Sequence, residues 1–313
     1  MNKLKDAQHK PPKRLRSHIR ELLASPRWRA LTTSLAPYAA LIRLNRPIGV
    51  LLLLWPTITA LWIAAEGLPA LSLLFIFTLG TFLLRSAGCC INDFADAHLD
   101  GSVERTRNRP LATGALSRLH ALAGFLLLGS LGFLLVLFTN RPTILLALVA
   151  VPVVAIYPFM KRYTSMPQVV LGLAFSWGIL MTFTAQTGAI PQVAWLLFVA
   201  NILWTVAYDT EYAMADREFD IQLGIKSTAI LFGTMDRLII GSLQLMFLFS
   251  LWLAGRQLEL GGWFTLALLI AAVLFGYQQY LIRGRLAENC FRAFLNNNYV
   301  GMVVFVGVVV SYF

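Results

Sequence analysis

Residues 69–100 read PALSLLFIFTLGTFLLRSAGCCINDFADAHLD, and the change from apolar to acidic character within them indicates the fold class. The first part, 69–91, is almost entirely apolar, whereas the last part, 92–100, holds an asparagine and three aspartates. About 20 apolar residues in a helix are enough to cross the hydrocarbon core of a bilayer. We therefore expect a membrane-spanning helix that carries a group of carboxylates at its end.

The whole chain shares this apolar character. Hydrophobic residues make up 58% of it and charged residues 13%, and the mean hydropathy is +0.69, far from the balance of a soluble domain. Apolar windows of spanning length recur at 47–66, 69–91, 119–138, 142–160, 166–187, 191–213, 237–255, 261–282 and 297–313. The sequence therefore predicts an all-α polytopic membrane protein, with nine transmembrane helices in one domain, 41–313, after a basic arm, 1–40.

The distribution of positive charge predicts how the chain is oriented. The formal net charge is +11, and most of the 26 Lys and Arg residues fall on one side of the membrane if the N-terminus is placed inside. Only Arg141 and Arg256 then lie in loops on the opposite side. Because cytoplasmic loops are enriched in Lys and Arg, we expect a cytoplasmic N-terminus. The same distribution argues against a nucleic-acid-binding surface.

The N-terminal arm, 1–40, is basic and weakly amphipathic. Such a segment is attracted to anionic lipid at the membrane surface, so we expect a cytoplasmic or interfacial arm. An Arg-rich and acid-poor arm is also typical of a mitochondrial transit peptide. Because this arm is short and retains Asp6 and Glu21, we favour the bacterial inner membrane over the mitochondrial inner membrane.

Nine of the 15 acidic residues lie in two short stretches, each at the end of a predicted span. Acids at the edge of a membrane span are functional candidates by default. In the first stretch Asp93, Asp96 and Asp100 stand at i, i+3 and i+7, a spacing that predicts one helical face. Asn92 lies one helical turn from Asp96.

The second stretch, 208–220, reads YDTEYAMADREFD. Asp209, Tyr212, Asp216 and Asp220 stand at i, i+3, i+7 and i+11, which again predicts one helical face. Like charges stacked in this way repel each other, so a cation has to offset them. Oxygen ligands without His or Cys in register suit Mg²⁺, which completes its coordination shell with water and substrate phosphates.

Basic residues occur in the loops next to these acids. They are Arg105, Arg107 and Arg109 after the first stretch, Lys226 after the second, and Lys161 and Arg162 after span four. Acids that hold Mg²⁺ beside Arg and Lys that hold phosphate predict a diphosphate site. Simpler interpretations are an acid that neutralises a buried arginine, and loop arginines that only orient the chain. Two acidic arrays on the same predicted side favour the site.

Both acidic stretches resemble the signature motifs of the intramembrane aromatic prenyltransferases of the UbiA superfamily. NDFADAHLD, 92–100, matches the NDxxDxxxD motif, and YDTEYAMADREFD, 208–220, matches the second motif in its YAMxD form. Stretches such as RLNRPIGVLLLLWPT, 43–57, and IKSTAILFG, 225–233, resemble the branch that prenylates 4-hydroxybenzoate. The resemblance covers about residues 41–313.

The resemblance implies helices around a central cavity that opens to the cytoplasmic side. It implies transfer of a polyprenyl group from polyprenyl diphosphate to the ring carbon ortho to the hydroxyl of 4-hydroxybenzoate, with release of diphosphate, in ubiquinone biosynthesis. The implied cofactor is Mg²⁺, as two ions that bridge the motifs to the diphosphate. The implied partners are the two substrates and the lipid bilayer, and no nucleic acid is expected.

The resemblance also implies roles for residues of this sequence. The expected metal ligands are Asn92, Asp93, Asp96, Asp100, Asp209, Asp216 and Asp220. The expected diphosphate ligands are Arg105, Arg109, Lys161, Tyr212 and Lys226. We expect Arg43, Asn45 and Arg162 to bind the aromatic substrate and its carboxylate. The expected catalytic residues are Asp209, which takes the phenolic or ring proton, and Arg162.

Two other functions stay open at this point. The first is a prenyltransferase of the same superfamily with another acceptor, such as a naphthoate or haem, and the YAMxD form and the LNRPIG stretch argue against it by resemblance. The second is a membrane transporter that uses intramembrane acids. A transporter more often places its charges near the bilayer midplane, whereas these acids lie at one end of their spans.

Overall fold

The computed structural model describes residues 26–98, 100–102 and 106–313, so Arg105 and most of the predicted arm lie outside the described residues. The described residues form helices joined by short loops and contain no β-strand. The α-helices are α1 (Pro26–Leu41), α2 (Ile48–Ala64), α3 (Leu71–Asp96), α4 (Arg118–Val136), α5 (Arg141–Ile156), α6 (Pro167–Thr187), α7 (Gln192–Gln222), α8 (Thr228–Phe232), α9 (Asp236–Gln257), α10 (Gly262–Leu281) and α11 (Ala287–Ser311).

The predicted membrane spans correspond to helices of this bundle. By length and composition, eight helical segments of the described chain are able to cross a membrane. The first predicted span corresponds to α2, an apolar helix of 17 residues that is slightly shorter than the others. The predicted all-α polytopic fold is therefore confirmed, with eight helices of spanning length and the shorter apolar helix α2 in the described chain.

The last span differs from its predicted bounds, because α11 begins at Ala287 and not at residue 297. Its first half is polar in sequence, AENCFRAFLNNN, and the apolar window therefore missed it. In the structure these amides have partners inside the bundle: the indole of Trp204 donates to Asn297 at 2.8 Å, and the indole of Trp55 donates to Asn298 at 2.9 Å. Polar residues are tolerated in a membrane helix when neighbouring helices satisfy them.

The turn between α6 and α7 shows how local sequence sets the helix ends. Gly188 follows α6 with a φ of 75°, a left-handed conformation that favours glycine, and its N–H donates to the carbonyl of Thr184 at 2.9 Å. Pro191 then precedes the first residue of α7. This short connection makes α6 and α7 antiparallel neighbours, which brings the second acidic stretch to the same end of the bundle as the start of α6.

The bundle has a densely packed side and a peripheral side. Trp204 of α7 stacks on Phe247 of α9 with ring centroids 5.4 Å apart, and Phe247 meets Phe275 of α10 edge to face at 6.0 Å. In contrast, Ala121 and Gly132 are the buried residues of α4, and five of its leucines are exposed: Leu119, Leu126, Leu127, Leu131 and Leu134. An outward apolar surface suits contact with lipid tails.

A cavity of about 410 Å³ lies at the end of the bundle that carries both acidic stretches. Its wall is formed by α2, α3, α6, α7 and α11 and by the loops that join helices at this end. The central cavity that the family resemblance implies is therefore present.

Candidate active site

The first acidic stretch is divided by the end of a helix. Asn92 to Asp96 form the last turn of α3, whereas Asp100 lies in a separate 3₁₀ turn, Asp100–Ser102. The prediction that Asp93, Asp96 and Asp100 share one helical face is therefore wrong, because the helix stops at Asp96. Asn92, Asp96 and Asp100 nevertheless line the cavity, and Asp93 is completely buried behind them.

The carboxylates of this stretch are each paired with a basic side chain. Arg43 donates to Asp93 Oδ1 at 2.5 Å, and Arg109 lies 3.2 Å from the same oxygen. Arg109 also donates to both oxygens of Asp100, at 2.8 and 2.9 Å, and Lys161 donates to Asp96 Oδ2 at 2.5 Å. Because removing a carboxylate from water is expensive unless it is paired, these cations make the burial of the three acids tolerable.

Two of the ionisable groups at the loop side of the site have shifted pKa values. Burial raises the pKa of the Asp100 carboxyl, and the neighbouring Arg109 guanidinium offsets part of that shift. Burial disfavours the charged form of Arg109, but the carboxylates of Asp93 and Asp100 outweigh it and raise the pKa of Arg109. Arg109 is therefore a permanent cation between two acids, and it holds the loop after α3 against the first acidic stretch.

The second acidic stretch lies on a single helix, as predicted. Asp209, Tyr212, Asp216 and Asp220 all belong to α7, and all four line the cavity. The ring of Tyr212 packs against Phe294 of α11, with centroids 4.8 Å apart. The i, i+3, i+7 and i+11 spacing thus produces one continuous polar face that points into the cavity.

The chemistry of this wall suits a hard divalent cation. Carboxylate and amide oxygens from both acidic stretches line one cavity, and Asp93 Oδ2 and Asp96 Oδ1 are buried without a hydrogen-bond partner in the described chain. Oxygen donors of this kind are the ligands that Mg²⁺ prefers. Within the described residues no three His, Cys, Asp or Glu side chains converge on one point, because Arg and Lys occupy the other oxygens of the first stretch.

The predicted phosphate-binding lysines come together at this end of the bundle. Lys161 and Lys226 both line the cavity, and the backbone N–H of Lys226 donates to the carbonyl of Lys161 at 3.0 Å. The Lys226 ammonium donates to the carbonyl of Tyr163 at 3.3 Å. Arg109 and Arg46 add two further cations to the wall. The loops after spans two, four and six therefore meet, although they are far apart in sequence.

The residues predicted to bind the aromatic substrate are divided between two places. Arg43 and Asn45 line the cavity, and Arg43 donates to the carbonyl of Ala40 at 2.9 Å as well as to Asp93. Arg162 does not line the cavity: it is exposed, and it donates to the carbonyl of Ala95 at 2.6 Å. Through these contacts Arg43 joins the end of α1 to α3, and Arg162 binds the last turn of α3.

The structure also reveals a cation that our sequence analysis missed. Arg85 lies in α3, seven residues before Asn92, and lines the deeper part of the cavity with Tyr157 and Tyr208. It donates to Cys89 Sγ at 3.0 Å, and no carboxylate of the described chain forms an ion pair with it. An arginine inside a predicted apolar span was the available signal, because such a charge is a functional candidate.

Gly49 of α2 makes room for this arginine. A Cβ atom on Gly49 would lie 2.5 Å from Arg85 Nε and 2.6 Å from one of its terminal nitrogens. Cβ atoms essentially never approach other heavy atoms that closely, so a side chain here would displace the guanidinium. The cavity therefore has cationic side chains in two regions: several at the mouth, beside the acids, and a single arginine deeper in the bundle.

Comparison with known proteins agrees with this architecture. Residues 53–301 match the model of the UbiA prenyltransferase family. A relative from Ectopseudomonas mendocina is 56% identical over 90% of this chain and 96% of its own length. A relative from Pseudomonas aeruginosa strain UCBPP-PA14 is 58% identical over 88% of this chain and 93% of its own length. Both are named 4-hydroxybenzoate octaprenyltransferase.

Solved structures share the fold. A UbiA homolog from Aeropyrum pernix K1 in its apo form superposes with a TM-score of 0.73 at 22% identity, covering 84% of this chain and 97% of its own. A UbiA homolog from Archaeoglobus fulgidus, bound to GPP and Mg²⁺, superposes with a TM-score of 0.70 at 15% identity, covering 88% of this chain and 99% of its own. With the family model matched over most of its length, the chain belongs to the UbiA prenyltransferase family.

Proposed function

We propose that this protein transfers a polyprenyl group from polyprenyl diphosphate to the ring carbon ortho to the hydroxyl of 4-hydroxybenzoate, in ubiquinone biosynthesis. One observation carries the proposal: a single cavity combines an acidic and basic mouth, suited to a metal-bound diphosphate, with a deeper arginine suited to a carboxylate. The names of relatives at 56–58% identity support the same reaction.

The mouth of the cavity binds the diphosphate in this proposal. Arg109, Lys161 and Lys226 supply positive charge from three loops, and we assign the same role to Arg105, which precedes Arg109 by four residues in the sequence. Tyr212 lies on the acidic face of α7, lines the cavity and packs its ring against Phe294, and in this proposal its hydroxyl donates to the diphosphate. Several cations around one anion lower the cost of the negative charge that the leaving diphosphate acquires.

Mg²⁺ is the cofactor that the donor set favours. Asn92, Asp93, Asp96 and Asp100 would hold it on one side, and Asp209, Asp216 and Asp220 on the other. The A. fulgidus homolog, bound to GPP and Mg²⁺, supports this proposal through the shared fold. When bound, the ion supplies Lewis-acid stabilisation of the departing diphosphate.

Arg85 is the residue we assign to the carboxylate of 4-hydroxybenzoate. It faces the cavity without a carboxylate partner in the described chain, whereas Arg43 already binds Asp93 and Arg162 lies outside the cavity wall. A charge-assisted pair with Arg85 would place the aromatic ring between the arginine and the mouth. Arg43 and Asn45 then shape the wall beside the ring.

The reaction breaks the allylic C–O bond of the diphosphate and forms a C–C bond to the ring. Cleavage leaves an allylic cation, which water would capture, so the apolar wall of Leu52, Phe175 and Phe294 protects it. Asp209, which lines the cavity two turns deeper than Asp216, is placed to accept the proton that the phenol loses. The products are the prenylated acid and diphosphate.

We also propose the arrangement of the chain in the membrane. Residues 1–40 form a basic arm at the cytoplasmic surface, and residues 41–313 form the transmembrane prenyltransferase domain. The mouth of the cavity faces the cytoplasm of a bacterial cell, because most of the loop arginines and lysines lie at that end. Reporter fusions at the N-terminus, active only inside the cell, test this orientation.

The acceptor assay tests the proposed function directly. Membranes that contain the protein are incubated with radiolabelled polyprenyl diphosphate and either 4-hydroxybenzoate or a dihydroxynaphthoate, with and without Mg²⁺. We expect label in 4-hydroxybenzoate only, and only with Mg²⁺. Transfer to the naphthoate alone would contradict the proposed acceptor.

Arg85→Gln and Arg162→Gln form a matched pair for the carboxylate site. Loss of a charge-assisted contact costs about 1.5–3 kcal/mol, so we expect Arg85→Gln to raise the KM for 4-hydroxybenzoate about 10- to 100-fold. The KM for polyprenyl diphosphate should stay close to that of the wild type. If Arg162→Gln raises the KM for 4-hydroxybenzoate and Arg85→Gln does not, the carboxylate lies on Arg162, one of the two arginines expected from the sequence.

A further inference from the structure

Glu211 is an acid of the second motif that takes no part in the cavity. It lies in α7 between Asp209 and Tyr212, it is completely buried, and it is not part of the cavity wall. Successive residues of an α-helix are about 100° apart, so Glu211 projects from the side of α7 opposite to Asp209 and Asp216. The proposed reaction gives this carboxyl no role.

Two amides from two different helices hold Glu211. Asn297 of α11 donates to Oε2 at 2.9 Å, and Gln244 of α9 donates to Oε1 at 3.3 Å. Both amide residues are buried, with 1% and 2% of their surface exposed. Among the described residues no Lys or Arg forms an ion pair with Glu211, which distinguishes it from the acids of the first stretch.

The contacts extend to a fourth helix. Asn297 also accepts from the indole of Trp204 at 2.8 Å, so α11 is joined to α7 at two levels. Gln244 donates in addition to Gln278 of α10 at 2.8 Å. We call these five residues, Trp204, Glu211, Gln244, Gln278 and Asn297, the Glu211 cluster.

The hydrogen bonds of this cluster restrict the rotation of α7 about its own axis. Inside a membrane bundle there is little hydrophobic driving force between helices, so polar contacts and close packing set their register. A buried carboxyl that loses its partners is strongly disfavoured. Rotating α7 by even part of a turn would break the contacts with Asn297 and Gln244 together. The same rotation would turn Asp209 and Asp216 away from the cavity.

We propose that Glu211 is a positioning residue for the acidic face of α7. By accepting from Asn297 and Gln244, its carboxyl fixes the rotation of α7 and so directs the metal-binding and diphosphate-binding groups of that helix into the cavity. The proposal rests on the proposed function of this site. It adds a residue that acts from behind the helix, through hydrogen bonds, without touching substrate.

Glu211→Ala tests the proposal, with Asn201→Ala as its matched control. Asn201 is on the same helix, is 3% exposed, and donates to Ser176 Oγ at 2.9 Å, so its loss also removes a buried polar contact of α7. Purified protein is titrated with Mg²⁺ in the presence of inorganic diphosphate, and the thermal unfolding midpoint is followed. The Mg²⁺ concentration for half-maximal prenyl transfer is measured in parallel.

We expect Glu211→Ala to raise the half-saturating Mg²⁺ concentration about 10- to 100-fold in both measurements, as is typical when a group that orients metal ligands is removed. Glu211→Gln keeps an acceptor for Asn297, so it should rescue the Mg²⁺ response to within about threefold of the wild type. Asn201→Ala should lower the unfolding midpoint and leave the Mg²⁺ response unchanged.

A lower unfolding midpoint with a wild-type Mg²⁺ response in Glu211→Ala would overturn the proposal, and so would an equal Mg²⁺ shift in Asn201→Ala. If Glu211→Ala does not fold, Gln244→Ala takes its place, because it removes the longer of the two hydrogen bonds to Glu211. It should raise the half-saturating Mg²⁺ concentration about threefold. An unchanged response in that variant would equally overturn it. If the wild type transfers no prenyl group, the proposed function fails, whereas the thermal titration still decides the role of Glu211.

Discussion

The two acidic stretches differ in how the fold holds them. The first, after α3, is divided by a helix end, and its buried aspartates are paired with Arg43, Arg109 and Lys161. The second lies on the unbroken helix α7, with partly exposed aspartates in the cavity wall and a buried polar cluster behind the helix. The carboxylates of the first stretch join it to neighbouring elements, whereas α7 is joined to α9 and α11 by Glu211 on its opposite side.

We call the first and second acidic stretches the first and second walls of the site. The difference between them predicts that variants at the two walls affect stability and catalysis to different extents. At the first wall the carboxylates also join α1 and two loops to α3, so a change there alters both folding and function. At the second wall the aspartates of α7 are only partly buried, and Glu211 joins that helix to α9 and α11 from its opposite side, so we expect changes of these aspartates to affect folding less than a change of the completely buried Asp93. The following variants test that separation.

Asp93→Ala should have the largest effect. It leaves the guanidinium groups of Arg43 and Arg109 without their buried partner, and breaking a buried pair costs about 3 kcal/mol or more. We expect a marked fall in the unfolding midpoint together with loss of Mg²⁺-dependent transfer. The double variant Arg43→Gln with Asp93→Asn removes part of the unpaired charge and should recover stability without recovering activity. Recovery of activity would contradict a metal role for Asp93.

Asp216→Ala should reduce activity with a smaller loss of stability than Asp93→Ala. Removing one group that stabilises a leaving anion typically lowers kcat by about 100- to 1,000-fold, and we expect a loss of that size in Mg²⁺-dependent transfer. The unfolding midpoint should fall less than in Asp93→Ala, because Asp93 is completely buried and Asp216 is only partly buried. A fall in the midpoint as large as that of Asp93→Ala would show that the two walls are held in the same way.

Gly49→Ala should have an intermediate and selective effect. The added methyl group would lie 2.5 Å from Arg85 Nε and displace the guanidinium, so we expect the KM for 4-hydroxybenzoate to rise about 10-fold, the size of a lost contact to a charged group. The KM for polyprenyl diphosphate should not change. Gly129→Ala is the control, because nothing lies within 4 Å of a Cβ at that position.

Lys226→Gln should have the smallest effect. Lys226 is exposed at the mouth, where water and salt screen its charge, so we expect the KM for polyprenyl diphosphate to rise about threefold. The increase should disappear at high salt, where the wild-type KM rises to the same value. Arg283→Gln is the control, because Arg283 lies over the Tyr280 ring and outside the cavity wall. A salt-independent increase would indicate a buried contact for Lys226.

Sequence periodicity predicted the helices well, and it failed where polar residues enter the membrane. The start of α11 was missed because residues 287–296 include charged and amide side chains and so interrupt the apolar window, although the helix already begins at Ala287. The face expected for Asp93, Asp96 and Asp100 was wrong because spacing does not reveal a helix end inside a motif. Arg85 was missed because a single charged residue does not change the assignment of an apolar window as a membrane span, and it was therefore not considered as a site residue.

The sequence by itself determined the class of the molecule, the approximate membrane spans and the acidic face of α7, because each depends on local composition and on the 3.6-residue helical period. Only the tertiary structure decided which cation meets which acid. Arg43 and Asp93 are 50 residues apart, and Asp96 and Lys161 are 65 apart. Such pairs depend on how helices pack against one another, and no spacing along the chain contains that information.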